Sequence, residues 1–542
     1  MLSAPARPFR ALTTVPSGRY SNGMTSTIRP DRTPAAAERR AVPPLPGRAG
    51  VRAWAALVVL MLPVLLVSVD NTVLGFALPA ITEALRPSST QLLWIVDVYP
   101  LVLAALLVAM GSLGDRIGRR KVLLIGATGF AAVSAAAAFA PTAELLIGAR
   151  ALLGVFGAML MPSTLSLLRS IFQDREQRRV AIAVWASGFA AGSALGPIVG
   201  GLLIERFWWG AVFLLAVPVL IPLLVLTPLL VRESRDPAPG PVDVVSILLS
   251  LVTMAPIVYG IKELAVHGIG LVPVLAVLIG VSAGVLFVRR QLRRPVPMLD
   301  MRLFRRPAFS GAVLINLLSV VALVGFLFFV SQHLQLVLGM PPMRAGMVLL
   351  PGLATMIVSG LLVVPVARRL RPGLVIAGGL CVSAAGYLLV AVSGGDASWG
   401  VLLAAFVLLG AGIGAAETVS NELIVSTAPA DKAGAASAVS ETAYELGAVL
   451  GTATLGSIII ASYRAAIVLP SGLSPADATA AADTLGGAVT VAGGLPSAAA
   501  AELLASARHA FDSGIALTAS IGAALMLTAA VLAVVTLRRV RG

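Results

Sequence analysis

The chain has 542 residues, 58% of them hydrophobic and only 12% charged, with a mean hydropathy of +0.96. A soluble protein with a polar surface cannot be built from that composition, so the chain is expected to cross a membrane many times. Its net charge of +15 then reads as loop charge at one membrane face, which leaves nucleic-acid binding unnecessary. Cys381, the single cysteine, falls in an apolar run, which excludes an intrachain disulfide and a thiolate cluster. His267, His333 and His509 are scattered without H-E-x-x-H spacing, so no metal site is expected. The chain lacks G-x-x-x-x-G-K-[ST]; uphill work would draw on an ion gradient or a partner rather than on ATP bound to a P-loop.

In chain order, residues 1–52 are rich in Pro, Ser, Thr, Ala and Arg and read as a disordered basic cytoplasmic tail, with Met24 as an alternative start. The apolar run from Ala53 is too long for a signal peptide. Taking about 20 apolar residues per crossing, fourteen spans are expected near 53–78, 91–113, 121–140, 143–168, 180–204, 210–231, 242–262, 269–288, 309–338, 345–367, 373–393, 398–427, 433–462 and 513–537. With the amino terminus inside, 33 of the 40 Lys and Arg residues fall on the cytoplasmic side and Arg150 falls within a span. Arg86, Arg206, Lys262, Arg344, Arg464 and Arg508 are counted outside. That bias places both termini in the cytoplasm. Residues 53–231 and 309–542 form two six-helix bundles, and 232–308 supplies two further spans with long cytoplasmic linkers. A long Ala-rich outer loop, 464–512, either covers the outer mouth or is simply solvated.

Ionisable groups inside spans cost roughly 2.5–3.5 kcal/mol each on insertion scales and need an explanation. Asp70 in span one and Arg150 in span four lie at matching depths below the outer face, so a charge pair or a competition for a proton is open to them. Asp97 in span two is shallower and flanked by Trp94 and Tyr99, a set suited to a cation, or else a carboxylate hydrated at the interface. In SETAYELG, Glu441 and Glu445 share one helix face with Tyr444 between them. Two close carboxylates in low dielectric do not both ionise readily, which poises at least one to carry a proton; the alternative is that both bond neighbouring hydroxyls such as Thr442. Glu417 is intermediate, and Glu422 lies near the cytoplasmic end.

Two further stretches stand out. GSLGDRIGRRKVLL (111–124) is a basic turn between spans two and three, with Gly111, Gly114 and Gly118 allowing a tight reversal around Asp115, Arg116 and Arg119. In span five, Gly192, Gly196 and Gly200 recur every fourth residue beside Pro197 and Gly201, a spacing that lets helix backbones touch.

The basic turn resembles the signature loop of the major facilitator superfamily, G-x-L-x-D-R-x-G-R-[RK]. DNTVLGFALP at Asp70–Pro79, ARALLGVFGAML around Arg150, G-P-x-x-x-G-G at Gly196–Gly201 and SETAYELG are similar to motifs of its fourteen-span drug:proton antiporter branch. The resemblance implies an all-α polytopic membrane protein with the major facilitator fold, fourteen transmembrane helices in all. It implies no enzyme activity and no cofactor beyond a proton gradient. The implied function is proton-coupled antiport that exports lipophilic, mostly monovalent cationic drugs, dyes and disinfectants across the plasma membrane by alternating access, as a monomer and without nucleic acid. Taken with the residue readings above, it places proton coupling at Asp70, Arg150, Glu441 and Glu445, and substrate contact at Asp70, Trp94, Asp97, Tyr99, Glu417, Tyr444 and Glu445. Gly111, Gly114, Asp115, Arg116, Gly118 and Arg119 would latch the two halves on the cytoplasmic side. Gly192, Gly196, Pro197, Gly200 and Gly201 would form the antiporter-motif helix. Span ten, 345–367, has no acid, which favours monovalent over divalent cations. A dedicated exporter of one natural product, a channel or a membrane-embedded enzyme remain the alternatives.

Overall fold

The computed structural model describes residues 49–236, 243–295, 297–394, 397–427, 433–538 and 540. The expected tail up to residue 48, and 237–242 of the first long linker, lie outside the described residues. Among the described residues there are helices and no strands. The first part of the chain forms α1 (Val51–Leu85), α2 (Ser89–Ile117), α3 (Arg119–Ala137), α4 (Ala143–Ile171), α5 (Arg175–Arg206), α6 (Ala211–Leu214) and α7 (Ala216–Leu230). Next come α8 (Val244–His267) and α9 (Leu271–Arg293). The remainder forms α10 (Pro307–Gln332), α11 (Pro342–Ala367), α12 (Pro372–Ser393), α13 (Trp399–Thr427), α14 (Ala433–Gly451), α15 (Ser457–Ala466), α16 (Pro475–Asp483), α17 (Leu485–Ala492) and α18 (Ser497–Leu537).

Thirteen helical stretches are long and apolar enough to cross a membrane, and α5 makes a fourteenth when its two arms are counted together. The arms meet at 41° between Ser193 and Leu195. Pro197 explains the bend: it has no N–H to give the carbonyl of residue 193, and its ring crowds that carbonyl. Several helix starts carry side-chain caps. Ser88 and Gln91 form a reciprocal capping box on α2, and the Asp174 carboxylate accepts a bond from the backbone N of Gln177 on α5.

Two apolar cores organise the packing, one built from α1 to α7 and the other chiefly from α10 to α18. The pair α8 and α9 packs mainly on itself, while α8 also touches α2, α15 and the π-turn Thr452–Gly456 that joins α14 to α15. A small cluster of Leu101, Val258, Val449 and Ala453 marks where α8 lies over the seam between the two halves.

The face bearing the 111–124 turn is called the basic face below, and its opposite the far face. The halves meet toward the far face. Gly75 of α1 lies against Ser331 of α10, Leu93 of α2 against Gly456, and Gly201 of α5 against the backbone of Met343 in α11. Glu205 adds a bond accepted from the Met343 backbone N at 2.9 Å.

The segment 464–512 is not a plain loop. It holds α16, α17 and the opening turns of α18, so the last helix begins at Ser497 rather than near 513. Thr484 caps α17 by accepting from Gly487 N at 3.0 Å, and the Tyr463 hydroxyl donates to the Ala481 carbonyl at 2.8 Å. Leu485 and Ala488 are buried, and Gly486 sits against Thr82 of α1, so the segment covers the seam at the far face.

Candidate functional site

Arg150 is the largest fully buried side chain in the described structure, and its surroundings explain how a guanidinium survives there. Its Nη1 donates to Asp70 Oδ2 at 2.6 Å, its Nε donates to the Ile95 carbonyl at 3.1 Å, and its plane lies 4.6 Å from the Tyr99 ring centroid. The depth match read from the sequence is realised as an ion pair between α1 and α4. Gly154 lets α4 approach α2 closely enough for this, since a Cβ there would stand 2.7 Å from the Tyr99 carbonyl. Tyr99 is fully buried and braces Arg150, with an edge-to-face contact to Phe130 at 6.3 Å; it does not line the cavity described below.

The Trp94–Asp97 pair is where the structure departs most from expectation. Lys262, counted among the outer-face charges, is instead buried in α8, with its Nζ 2.9 Å from Asp97 Oδ2 and 4.1 Å from the Trp94 ring centroid. Both features expected to receive a cation, a carboxylate and an indole face, are therefore filled by the chain's own ammonium. Asp97 is fully buried, which excludes a carboxylate hydrated at the interface. Among the described residues neither Asp97 oxygen nor Lys262 Nζ has a well-directed hydrogen-bond partner, so the contact is chiefly ionic. The signal in the sequence was the lysine itself, a charge at the edge of an apolar run.

Between the halves lies a cavity with an empty volume of about 1020 Å³, open solvent included. Asn71, Thr72, Asp97, Arg150, Ser193, Tyr444 and Thr452 are its polar lining, among apolar side chains chiefly of α1, α10 and α11. Asp70 reaches it through Arg150. Glu445 is buried beside it on α14, close enough to interact electrostatically with Asp70 and Glu441. Thr442 Oγ1 is buried without a hydrogen-bond partner among the described residues, so it satisfies neither Glu441 nor Glu445; Glu445 Oε2 and Glu417 Oε1 are likewise buried without one. Glu422 is exposed at the basic face, beside a separate cleft.

At the basic turn, Gly118 has φ +120°, a conformation reserved for glycine, and the Glu233 carboxylate occupies the space a Cβ would take. Glu233 accepts from the backbone N of Arg120 and Lys121 at 3.0 and 3.2 Å, placing a negative charge on the amino terminus of α3. Arg119 pairs with Asp115 at 2.9 Å and donates to Ser234 Oγ at 3.2 Å; its backbone N donates to the Ser234 carbonyl. Arg116 is exposed, while Gly111 packs against Pro162 and Gly114 against Ser163 in α4. In this conformation the described contacts of the turn fasten it to the segment that follows α7 in its own half.

The α5 stripe has two partners. Gly192, Gly196 and Gly200 abut Ser68, Thr72 and Val73 of α1, and Ser68 Oγ lies 2.8 Å from Ser193 Oγ. Pro197 and Gly201 face the other way, onto Gly346 and Met343 of α11, so this helix is a bearing surface between the halves.

The chain is 60% identical over 492 residues to the multidrug efflux pump LfrA of Mycolicibacterium smegmatis, covering 91% of this chain and 98% of that protein. It is 36% identical over 485 residues to the methyl viologen resistance protein SmvA of Salmonella typhimurium, covering 88% and 97%. Among solved structures it is similar to a bacterial homologue of the human lysosomal transporter Spinster in an inward-facing, occupied conformation. That match has a TM-score of 0.63 and 15% identity over 91% of this chain and 98% of the other, a likeness of fold alone. The family description Major Facilitator Superfamily matches residues 60–452. With most of the chain matched and the fold shared, this protein belongs to the major facilitator superfamily and is a membrane transporter, not an enzyme.

Proposed function

We propose that the protein exports lipophilic cationic drugs, dyes and disinfectants from the cell in exchange for protons, rocking its halves around the central cavity in the plasma membrane with both termini in the cytoplasm. The observation that carries this reading is the set of buried acids around one largely apolar cavity. Asp70 is paired to Arg150, while among the described residues Glu445 has no cationic partner and has an oxygen without a bond. An acid in that condition is stabilised either by a proton or by a greasy cation, and the two exclude each other. That exclusion is what couples the fluxes. The apolar walls from Leu323, Leu327, Phe328 and Leu353 suit the greasy part of such a guest.

The names of the relatives, a multidrug efflux pump and a methyl viologen resistance protein, support a cationic drug as cargo. Methyl viologen is a dication, so the expectation from the acid-free α11 that monovalent cations are favoured needs its own arm in the test. The experiment is dye accumulation in sealed vesicles under an imposed pH gradient, with a monovalent dye and methyl viologen as competitors. Gradient-dependent uptake into inverted vesicles that collapses with a protonophore supports the reading. Uptake that ignores the gradient, or mere equilibration, overturns it.

A further inference from the structure

Helix α8 carries the only charge that the spans between the two halves send into the described interior. Lys262 Nζ is fully buried, 2.9 Å from Asp97 Oδ2, and lies over the Trp94 ring at 4.1 Å. Those are the two contacts a bound organic cation would make, a counter-charge and an aromatic face. Asp97 also lines the central cavity, and neither of its oxygens has a well-directed bond. On the other side of the seam, Thr452 lines the same cavity, and Val449 and Ala453 pack against Val258 of α8. Lys262 therefore stands at a point where one helix touches both halves.

We propose that Lys262 is a tethered cation that occupies a second cation subsite, formed by Asp97 and Trp94, and that an incoming lipophilic cation competes with it for that subsite. The inference rests on the cationic-cargo reading above, and it adds a site and a competitor that the reading does not require. Its physical basis is charge balance. With Lys262 in place the subsite is neutral, and a guest must displace the ammonium to gain the carboxylate and the ring. With the ammonium removed, the subsite keeps its carboxylate and its indole face and offers both to the guest. The tether also links occupancy to conformation: separating the halves at the far face pulls α2 and the Thr452–Gly456 turn apart, and α8 cannot follow both.

The test uses the purified full-length chain and tetraphenylphosphonium as the probe. Lys262→Met should bind it at least tenfold more tightly than the unsubstituted protein, Lys262→Arg should bind it as the unsubstituted protein does, and Asp97→Asn/Lys262→Met should lose the gain. Unchanged or weaker binding by a folded Lys262→Met, or a gain that survives Asp97→Asn, would overturn the proposal in favour of a structural strut. A second measurement needs no variant. Lys121 and Lys432 are the only other lysines, so acylation of Lys262 can be followed by mass spectrometry. Saturating tetraphenylphosphonium should raise Lys262 labelling severalfold while leaving Lys121 unchanged; continued protection at saturation defeats the proposal even if Lys262→Met does not fold. Failure of gradient-driven dye uptake would instead remove proton-coupled export, a separate result read in a separate assay.

Discussion

Glu445 and Asp70 both become amides in a pair of variants whose outcomes should differ for a reason visible in their surroundings. Asp70 holds Arg150 at 2.6 Å in a buried pair, so Asp70→Asn leaves a guanidinium with one carbonyl and one ring for company. Breaking a buried pair from one side costs about 3–5 kcal/mol. Against a total stability of about 5–15 kcal/mol, that loss should lower the unfolding temperature and the yield sharply. Among the described residues Glu445 has no cationic partner to orphan, and one of its oxygens already lacks a bond. Glu445→Gln should therefore express and melt like the unsubstituted protein, within about 1 kcal/mol.

Function should split the other way. One pH unit is a tenfold ratio of proton activity, about 1.4 kcal/mol, so one-for-one exchange can hold at most about a tenfold dye gradient per unit. In vesicles with a one-unit gradient, Glu445→Gln should fall from that accumulation to equilibration, a ratio of about 1, despite normal folding. The readouts are dye fluorescence after acidification and a melting curve on the same preparations. Full accumulation by Glu445→Gln would refute the exchangeable-acid argument. An Asp70→Asn protein as stable as its parent would refute the pair energetics.

Three further outcomes test other parts of the structure. Gly346→Val places a Cβ 2.5 Å from the Pro197 carbonyl across the α5–α11 bearing. Overpacking of about 1–3 kcal/mol there should deplete the far-face-closed state at least fivefold, measured as increased labelling of a cysteine placed in the cavity from the far side. Asp243 caps α8 by accepting from Ser246 N and holds Arg290 at 2.8 Å, and those bonds keep its carboxyl far below the ordinary carboxylate range. The folded form thus binds its proton more weakly than the unfolded chain, so the stability it contributes is full at neutral pH and is lost as pH falls below about 4. Asp243→Ala should cost about 0.5–2 kcal/mol at pH 7 from the lost cap and flatten the acid limb of the melting profile; an unchanged acid limb would exclude Asp243 as its source. Tyr463→Phe should lose about 1 kcal/mol with the bond to Ala481 and raise hydrogen exchange in α16 and α17 without changing exchange in α3.

What could be read from the linear chain follows from the solvent it must satisfy. Hydrocarbon accepts neither bare backbone nor unpaired charge, so the number of crossings and the position of the basic turn are written in apolar runs of about 20 residues and in the Lys and Arg between them. The Asp70–Arg150 pair was legible for a related reason: depth along a helix is simply distance from its end, and both side chains point inward because lipid rejects them. The glycine stripe of α5 likewise announced close packing, though not which helix each glycine meets.

Tertiary structure alone decided the rest. Lys262 sits at the edge of its apolar run, where a long flexible side chain can equally reach water or fold inward. Only the docking of α8 across α2 and the Thr452–Gly456 turn brings it to Asp97 and Trp94. The same holds for 464–512, whose Ala-rich composition permits helix or solvated loop until Leu485 and Ala488 find the seam to bury against. The basic turn's grip on Glu233 and Ser234 is likewise a property of where the segment after α7 returns. Sequence fixes what each segment can tolerate; which charge meets which partner depends on long-range packing, because an ion pair's energy is set by distance and burial that no single segment contains.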